Sequence, residues 1–133
     1  MVANMIAIDT NVVVRVITRD DEAQSPRAMA LIDSTDVFVS LTVILETGWV
    51  LASIHGYPTV LVVTSLKAFL GLPRVSVEDP WMVRRALDWV TEGLDFADAL
   101  HLAQDQRPEG FATFERKLAQ AGTRITDTPV RLL

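Results

Sequence analysis

The sequence contains no cysteine. Disulfide bonds, zinc–thiolate sites and cysteine nucleophiles are therefore excluded, and a reducing compartment, the cytoplasm, is the expected location. The N-terminal segment has no basic region and only a short apolar run, so we expect no signal peptide. The apolar stretch 37–54 approaches a membrane span in length, but Glu46 near its middle would be costly in lipid. We expect no membrane association.

A broad basic face is also missing, because the formal net charge is −5. This charge argues against generic nucleic-acid binding. It does not exclude a nuclease, since acidic metal sites add negative charge that bound cations offset locally. No serine–histidine arrangement or glycine-rich phosphate motif occurs, and we interpret Gly71 and Gly122 as isolated turn residues.

What the chain has is a regular alternation of apolar runs and helical patterns over a length that fits one domain, 1–133. Such alternation indicates an α/β fold with a largely parallel sheet. The predicted strands are Met5–Ile8, Val37–Val39, Arg74–Val77, Phe111–Phe114 and Arg124–Thr126. The predicted helices are Val12–Thr18, Gln24–Ser34, Thr42–His55, Thr59–Leu70, Pro80–Thr91, Phe96–Gln104 and Glu115–Gln120, the first of them capped by Thr10 and Asn11.

Two aspartates stand at positions that suit a site. Asp9 directly follows the first predicted strand, and sites in open α/β sheets form at the carboxyl ends of strands. A helix cap is the alternative interpretation. Asp98 lies in the first turn of a predicted helix, which aims its carboxylate into a crevice, although Asp95 and Asp98 also resemble a capping box. We leave His101 out, because a lone histidine is more often structural.

Glu46 lies in a predicted helix that is apolar on nearly every face, so we expect it to be buried. A buried glutamate meets a cation, is protonated or lines a polar crevice. A salt bridge with an arginine is one alternative, and a metal ligand or an anchor for a metal-bound water is the other. Glu115 follows a strand-like run and is a fourth candidate, or simply an acidic residue at a helix N-terminus.

These carboxylates together predict a site for Mg²⁺ or Mn²⁺, which prefer oxygen ligands. Without a cation, such carboxylates would raise one another's pKa. A bound cation relieves that repulsion, activates a water and stabilises the charge on a phosphodiester under attack. The sequence therefore points to a metal-dependent nuclease.

At these residues the sequence resembles a PIN domain, specifically the VapC-type toxins of bacterial type II toxin–antitoxin pairs. The resemblance covers nearly the whole chain. It is carried by Ile8-Asp9-Thr10-Asn11, by Ser40-Leu41-Thr42 followed by Glu46, by Phe96-Ala97-Asp98-Ala99-Leu100, and by Ala112-Thr113-Phe114-Glu115-Arg116-Lys117-Leu118.

The resemblance implies a three-layer α/β/α sandwich around a mainly parallel sheet of four to five strands. It implies an acidic site of Asp9, Glu46 and Asp98, with Thr113 holding the site by hydrogen bonding. Thr10 and Asn11 match a small polar pair that orients the first aspartate. The family often has aspartate where this chain has Glu115, so that residue binds a metal through water or not at all.

Similar proteins are Mg²⁺- or Mn²⁺-dependent endoribonucleases that cut tRNA, rRNA or mRNA. They usually form dimers and are silenced by a VapB-type antitoxin, which supplies the DNA-binding half of the complex. The predicted helices around Val43–Ile54 and Val60–Leu70 are more apolar than the surface helices of a small domain should be, which indicates either a partner surface or core burial.

Two other functions remain open. Glu115 in place of aspartate allows a catalytically impaired PIN module that acts only through partner binding. Asp9 after the first strand also allows a phosphotransfer fold, but the only lysines are Lys67 and Lys117, and no second aspartate stands two residues after Asp9.

Overall fold

The computed structural model describes residues 5–104 and 109–133. Residues 1–4, on which the signal-peptide expectation partly rests, lie outside that range. The chain divides into two compact units, Met1–Pro80 and Trp81–Leu133, and each is described by itself. All strand pairings in the described ranges are parallel, which confirms the α/β class. In the same ranges, no helix is long and apolar enough to cross a membrane.

The first unit has a three-stranded parallel sheet in the order β1-β2-β3. Ile6 lies opposite Val37, and Val37 lies opposite Val75. The unit's elements in chain order are β1 Ile6–Ala7, α1 Thr10–Thr18, α2 Gln24–Ser34, β2 Val37–Val39, α3 Leu41–Ser53, α4 Thr59–Leu70 and β3 Val75–Val77.

Local signals explain where these helices begin and end. The Ser40 side chain caps α3 by accepting the backbone N–H of Val43 at 3.4 Å. Gly56 follows α3 with a φ of 70°, a left-handed conformation that glycine adopts without a Cβ penalty. The core of the unit consists of branched aliphatic side chains that are fully buried, among them Val13, Val37, Val39, Ile44, Leu51 and Leu66.

The second unit contains a parallel pair of strands joined through a helix. Phe111 of β4 lies opposite Val130 of β5. Its elements are α5 Pro80–Thr91, which begins at the last residue of the first unit, α6 Phe96–Gln104, β4 Phe111–Thr113, α7 Arg116–Ile125 and β5 Val130–Leu132. Its most buried apolar side chains are Val83, Ala86, Leu87, Ala99, Leu102 and Ala103.

The C-terminal part of the prediction is wrong in two respects. The strand predicted at Arg124–Thr126 is the end of α7, and the last strand is Val130–Leu132. Gly122 is not a turn residue but lies inside α7, where a Cβ would come within 2.8 Å of the Cγ2 atom of Val130. Glycine therefore permits the close packing of α7 on β5. A run as short as Arg124–Thr126 does not distinguish the helical period from the strand period.

Candidate active site

Asp9 is both the N-cap of a helix and an exposed carboxylate that follows a strand. Its Oδ1 atom accepts the backbone N–H of Val12 at 3.1 Å, so α1 begins at Thr10. The prediction that Thr10 and Asn11 cap this helix is therefore wrong by one residue. The two interpretations of Asp9 do not compete in the structure, because the cap uses only one of its two oxygen atoms.

Thr10 ties the start of α1 to α3. Its side chain is 6% exposed, and its hydroxyl donates a hydrogen bond to Oε1 of Glu46. The residues are far apart in sequence, so this bond sets the position of the Glu46 carboxylate relative to the end of β1. Thr10 thus has a different partner from the one that the resemblance implied, since it holds Glu46 rather than Asp9.

The prediction that Glu46 is buried is wrong, because its side chain is exposed. Packing in the first unit covers only one face of α3, the face that contains Ile44, Thr47 and Leu51. The uncovered face keeps Glu46 and also Trp49, which is 61% exposed. An apolar composition on all faces therefore did not mean burial on all faces. Within the described ranges no arginine forms a salt bridge with Glu46.

Asp98 stands in the first turn of α6, as predicted. Its backbone N–H donates to Oδ2 of Asp95 at 3.2 Å, which confirms Asp95 as a capping side chain. Burial raises the pKa of the Asp98 carboxyl, and the negative charges of Asp95 and Glu115 raise it further. His101, one turn along the same helix, opposes this effect. His101 follows Asp98 by three residues, and residues three apart are neighbours on the surface of a helix. That spacing is the signal in the sequence that would have placed His101 beside Asp98.

Glu115 is the N-cap residue of α7, but its side chain makes no capping hydrogen bond. Its backbone N–H instead donates to Oγ1 of Thr113 at 2.9 Å, and the carbonyl of Thr113 accepts the N–H of Leu133 at 2.8 Å. The side chain of Glu115 is exposed. Thr113 therefore holds the backbone from which Glu115 projects, in keeping with the supporting role that the resemblance implied.

The structure thus brings the predicted residues together as two groups. Thr10 and Glu46, with Asp9 beside Thr10 in the chain, lie in the first unit, and Asp98, Thr113 and Glu115 lie in the second. No three His, Asp or Glu side chains of residues 5–104 and 109–133 are placed to hold a metal ion together. A metal site of Asp9, Glu46 and Asp98 stays a prediction.

The donor chemistry of both groups fits a divalent cation. Every candidate ligand is a carboxylate, the donor that Mg²⁺ and Mn²⁺ prefer. In the second unit, burial raises the pKa of Asp98 most, and repulsion from the carboxylates of Asp95 and Glu115 raises it further. A cation beside Asp98 would remove that repulsion.

A comparison with known families decides where the chain belongs. The family model of the PIN domain matches residues 6–124. The chain belongs to the PIN-domain family. That membership confirms the family prediction and, with the parallel strands, the predicted α/β class.

Among solved structures, the PIN-domain chain is similar to VapC20 of Mycobacterium tuberculosis, described as a toxin that cleaves the sarcin–ricin loop. The likeness has 20% sequence identity and a TM-score of 0.42, and it covers 89% of this chain and 95% of that one. We draw no conclusion from a likeness of this extent. None of the curated proteins compared matches the chain.

Proposed function

We propose that this PIN-domain protein is the toxin of a VapBC-type toxin–antitoxin pair and an endoribonuclease that depends on Mg²⁺ or Mn²⁺. Asp9, Glu46 and Asp98 are the proposed metal ligands, and Glu115 acts through a water molecule. The observation that carries the proposal is the raised pKa of Asp98, which burial raises most and which the negative charges of its neighbours Asp95 and Glu115 raise further. Such crowding is costly for folding alone and is useful where a cation binds.

A cation bound by these carboxylates would activate a water and stabilise the negative charge that develops on the phosphodiester. The protein's own residues have simpler roles. Thr10 holds the Glu46 carboxylate through its hydroxyl, the cap on α1 fixes Asp9, and Thr113 fixes the backbone at Glu115. Asp9, Glu46 and Glu115 therefore each have a position that a hydrogen bond to a second residue helps to set.

The proposed partners are a VapB-type antitoxin and a second copy of this chain, with DNA contacted only through the antitoxin. Exposed apolar side chains at the C-terminal end of α3 and on α4 support a partner surface. Val60 is 75% exposed, Ile54 is 65% exposed and Leu61 is 43% exposed. Side chains of the same helices, such as Leu51 and Leu66, are fully buried, so these helices serve the core and a surface at once.

Cleavage of RNA by the purified protein tests the function. We expect degradation of total cellular RNA in the presence of Mn²⁺ or Mg²⁺, no degradation in EDTA, and recovery when the cation is restored. Expression without an antitoxin should arrest growth. Cleavage that persists in EDTA would contradict the metal-dependent assignment.

The same assay separates the two other functions named above. A PIN module that acts only by binding would show no cleavage under any condition and would still bind Mn²⁺ or a partner. Glu115 is the residue that motivates this alternative, and Glu115→Asp tests it. If the wild type is inactive and Glu115→Asp gains cleavage, the glutamate at this position is the cause of the impairment. Labelling of Asp9 by acetyl phosphate would support phosphotransfer instead.

A further inference from the structure

A cleft of about 390 Å³ opens between α1 and α2 in the first unit. Its lining combines one carboxylate, two side-chain amides, two guanidinium groups and three apolar side chains. These residues are Asp9, Asn11, Val12, Arg15, Gln24, Arg27, Ala28 and Leu31. Two arginines in one cleft are notable in a chain with a formal net charge of −5.

Arg15 is held in place by its neighbours. Its Nε atom donates to Oε1 of Gln24 at 2.7 Å, and its backbone carbonyl accepts the hydroxyl of Ser25 at 2.8 Å. Asp20 lies 3.9 Å from Nη1, at the limit of an ion pair. The side chain is only 27% exposed, and Arg15 lines the cleft as a guanidinium held by its neighbours.

Arg27 is different, because within the described residues it has no hydrogen-bond or ion-pair partner. It is exposed, and it stands on the α2 side of the cleft. Arg74, by contrast, pairs with Oδ1 of Asp36 at 3.2 Å. A guanidinium that lines a cleft without a carboxylate partner is available to an anionic ligand.

We propose that this cleft binds the phosphodiester backbone of single-stranded RNA, with Arg27 as the direct phosphate contact and Arg15 as a second cation held in position by Gln24. The inference rests on the proposed function and adds a substrate subsite to it. Asp9 lines the same cleft, so a strand held here by Arg27 runs past the carboxylate that the proposed function assigns to the metal.

RNA fits this lining better than an acidic protein segment does. Planar guanidinium groups match the oxygen geometry of phosphate and donate two hydrogen bonds at once. The side-chain amides of Asn11 and Gln24 add neutral hydrogen-bond donors to the lining. Only Val12, Ala28 and Leu31 offer apolar contact there. A peptide segment that docks as an amphipathic element needs a larger continuous apolar groove.

The test is a comparison of Arg27→Gln with Arg19→Gln in the binding of a short fluorescein-labelled single-stranded RNA, followed by fluorescence anisotropy in EDTA. Arg19 is exposed at the end of α1, does not line the cleft, and loses the same charge when substituted. We expect Arg27→Gln to weaken binding about fivefold and to lower the slope of log affinity against log salt by about 0.7, the value for one phosphate contact on a single strand. Arg19→Gln should leave both quantities near those of the wild type.

Arg27→Lys is a control for the shape of the cation, because it keeps the charge and loses the planar guanidinium. Its RNA affinity should lie between those of the wild type and Arg27→Gln. Equal losses in Arg27→Gln and Arg19→Gln would reduce the effect to net charge and overturn the subsite. Unchanged RNA binding in Arg27→Gln would also overturn it, and if binding of polyglutamate is lost in that variant, the cleft takes an acidic protein segment instead. Circular dichroism of each variant verifies the fold.

Cleavage of RNA by the wild type, measured separately, keeps this inference distinct from the proposed function. If the wild type cleaves RNA but Arg27→Gln binds normally, only the subsite fails. If the wild type never cleaves but binding depends on Arg27, the ribonuclease assignment fails and the RNA-binding cleft stands.

Discussion

The two units hold their carboxylates in different ways. In the first unit, one oxygen of Asp9 accepts a backbone N–H and one oxygen of Glu46 accepts the hydroxyl of Thr10. In the second unit, burial and the charges of Asp95 and Glu115 act against the ionised form of Asp98. Donors to a carboxylate stabilise its charge without a metal, whereas crowded carboxylates need a cation for the same stabilisation. The first group is thus held by hydrogen bonds within the fold, whereas the second group is the one that a bound cation would stabilise.

The largest expected effect is the loss of RNA cleavage when one carboxylate of either group is removed. Asp9→Asn and Asp98→Asn should each reduce the rate of RNA cleavage at least about 100-fold, since even residues that merely support metal ligands contribute 10- to 100-fold. Asparagine caps a helix as well as aspartate does, so Asp9→Asn should retain the fold. The rate of cleavage of a labelled RNA, with circular dichroism as a check on folding, measures both variants. Normal activity in either one would remove that aspartate from the site.

Thr10→Val sharpens the account of the first group. Loss of the hydroxyl that donates to Glu46 should reduce cleavage or Mn²⁺ affinity about 10- to 100-fold, because the carboxylate is no longer held in position. Thr10→Ser keeps the hydroxyl and is the matched control, which should stay close to wild type. If Thr10→Ser fails as badly as Thr10→Val, the methyl group in the core matters and the hydrogen bond does not.

A smaller effect tests the second group through stability. Because the pKa of Asp98 is raised, the folded protein binds that proton more tightly than the unfolded chain does, and ionised Asp98 destabilises the fold. Asp98→Asn should therefore raise the free energy of unfolding modestly at neutral pH in EDTA. The gain should disappear below the ordinary aspartate pKa of about 3.9, where Asp98 is neutral in both states.

Urea unfolding of the wild type and of Asp98→Asn at both pH values checks this prediction. Asp9→Asn is the contrasting variant and should show no such gain, because that side chain accepts a hydrogen bond in the fold. A loss of stability in Asp98→Asn at neutral pH would mean that Asp98 is a structural residue.

The smallest effect concerns the buried face of α3. The hydroxyl of Thr47 is buried and has no hydrogen-bond partner in the part of the chain that the structure describes. Thr47→Val should raise the free energy of unfolding by about 1 kcal/mol, because a buried unsatisfied hydroxyl costs this much or more. Denaturant unfolding measures the change, and RNA cleavage should be unaltered. Reduced cleavage would assign Thr47 to the support of its neighbour Glu46.

Most helix bounds follow from the sequence because their signals are local. The helices Gln24–Ser34, Thr59–Leu70 and Phe96–Gln104 begin and end where they were predicted. For the last of these, the cap residue Asp95 directly precedes the helix and the apolar spacing lies within it, so both signals are local. The end of α7 was missed because Gly122 was interpreted as a turn residue. Glycine is needed there because β5 packs close to it, and that contact involves a segment outside the helix.

The site was predictable only in part for the same reason. Residue type and position along the chain pointed to Asp98 and Glu115, and the family resemblance pointed to Thr113. The structure relates Glu115 to each of the other two. The exposure of Glu46 and its bond to Thr10 depend on which face of α3 the rest of the unit covers. No pattern within α3 contains that information, because nearly every face of the helix is apolar.

The central claim is that Asp9, Glu46 and Asp98 are ligands of a divalent cation, and calorimetric titration of Mn²⁺ into the metal-free protein tests it most directly. Wild type should bind Mn²⁺, Asp9→Asn and Asp98→Asn should each lose that binding, and Asp33→Asn, an exposed carboxylate on α2, should retain it. Binding that survives in either of the first two variants would contradict the assignment of that aspartate as a metal ligand.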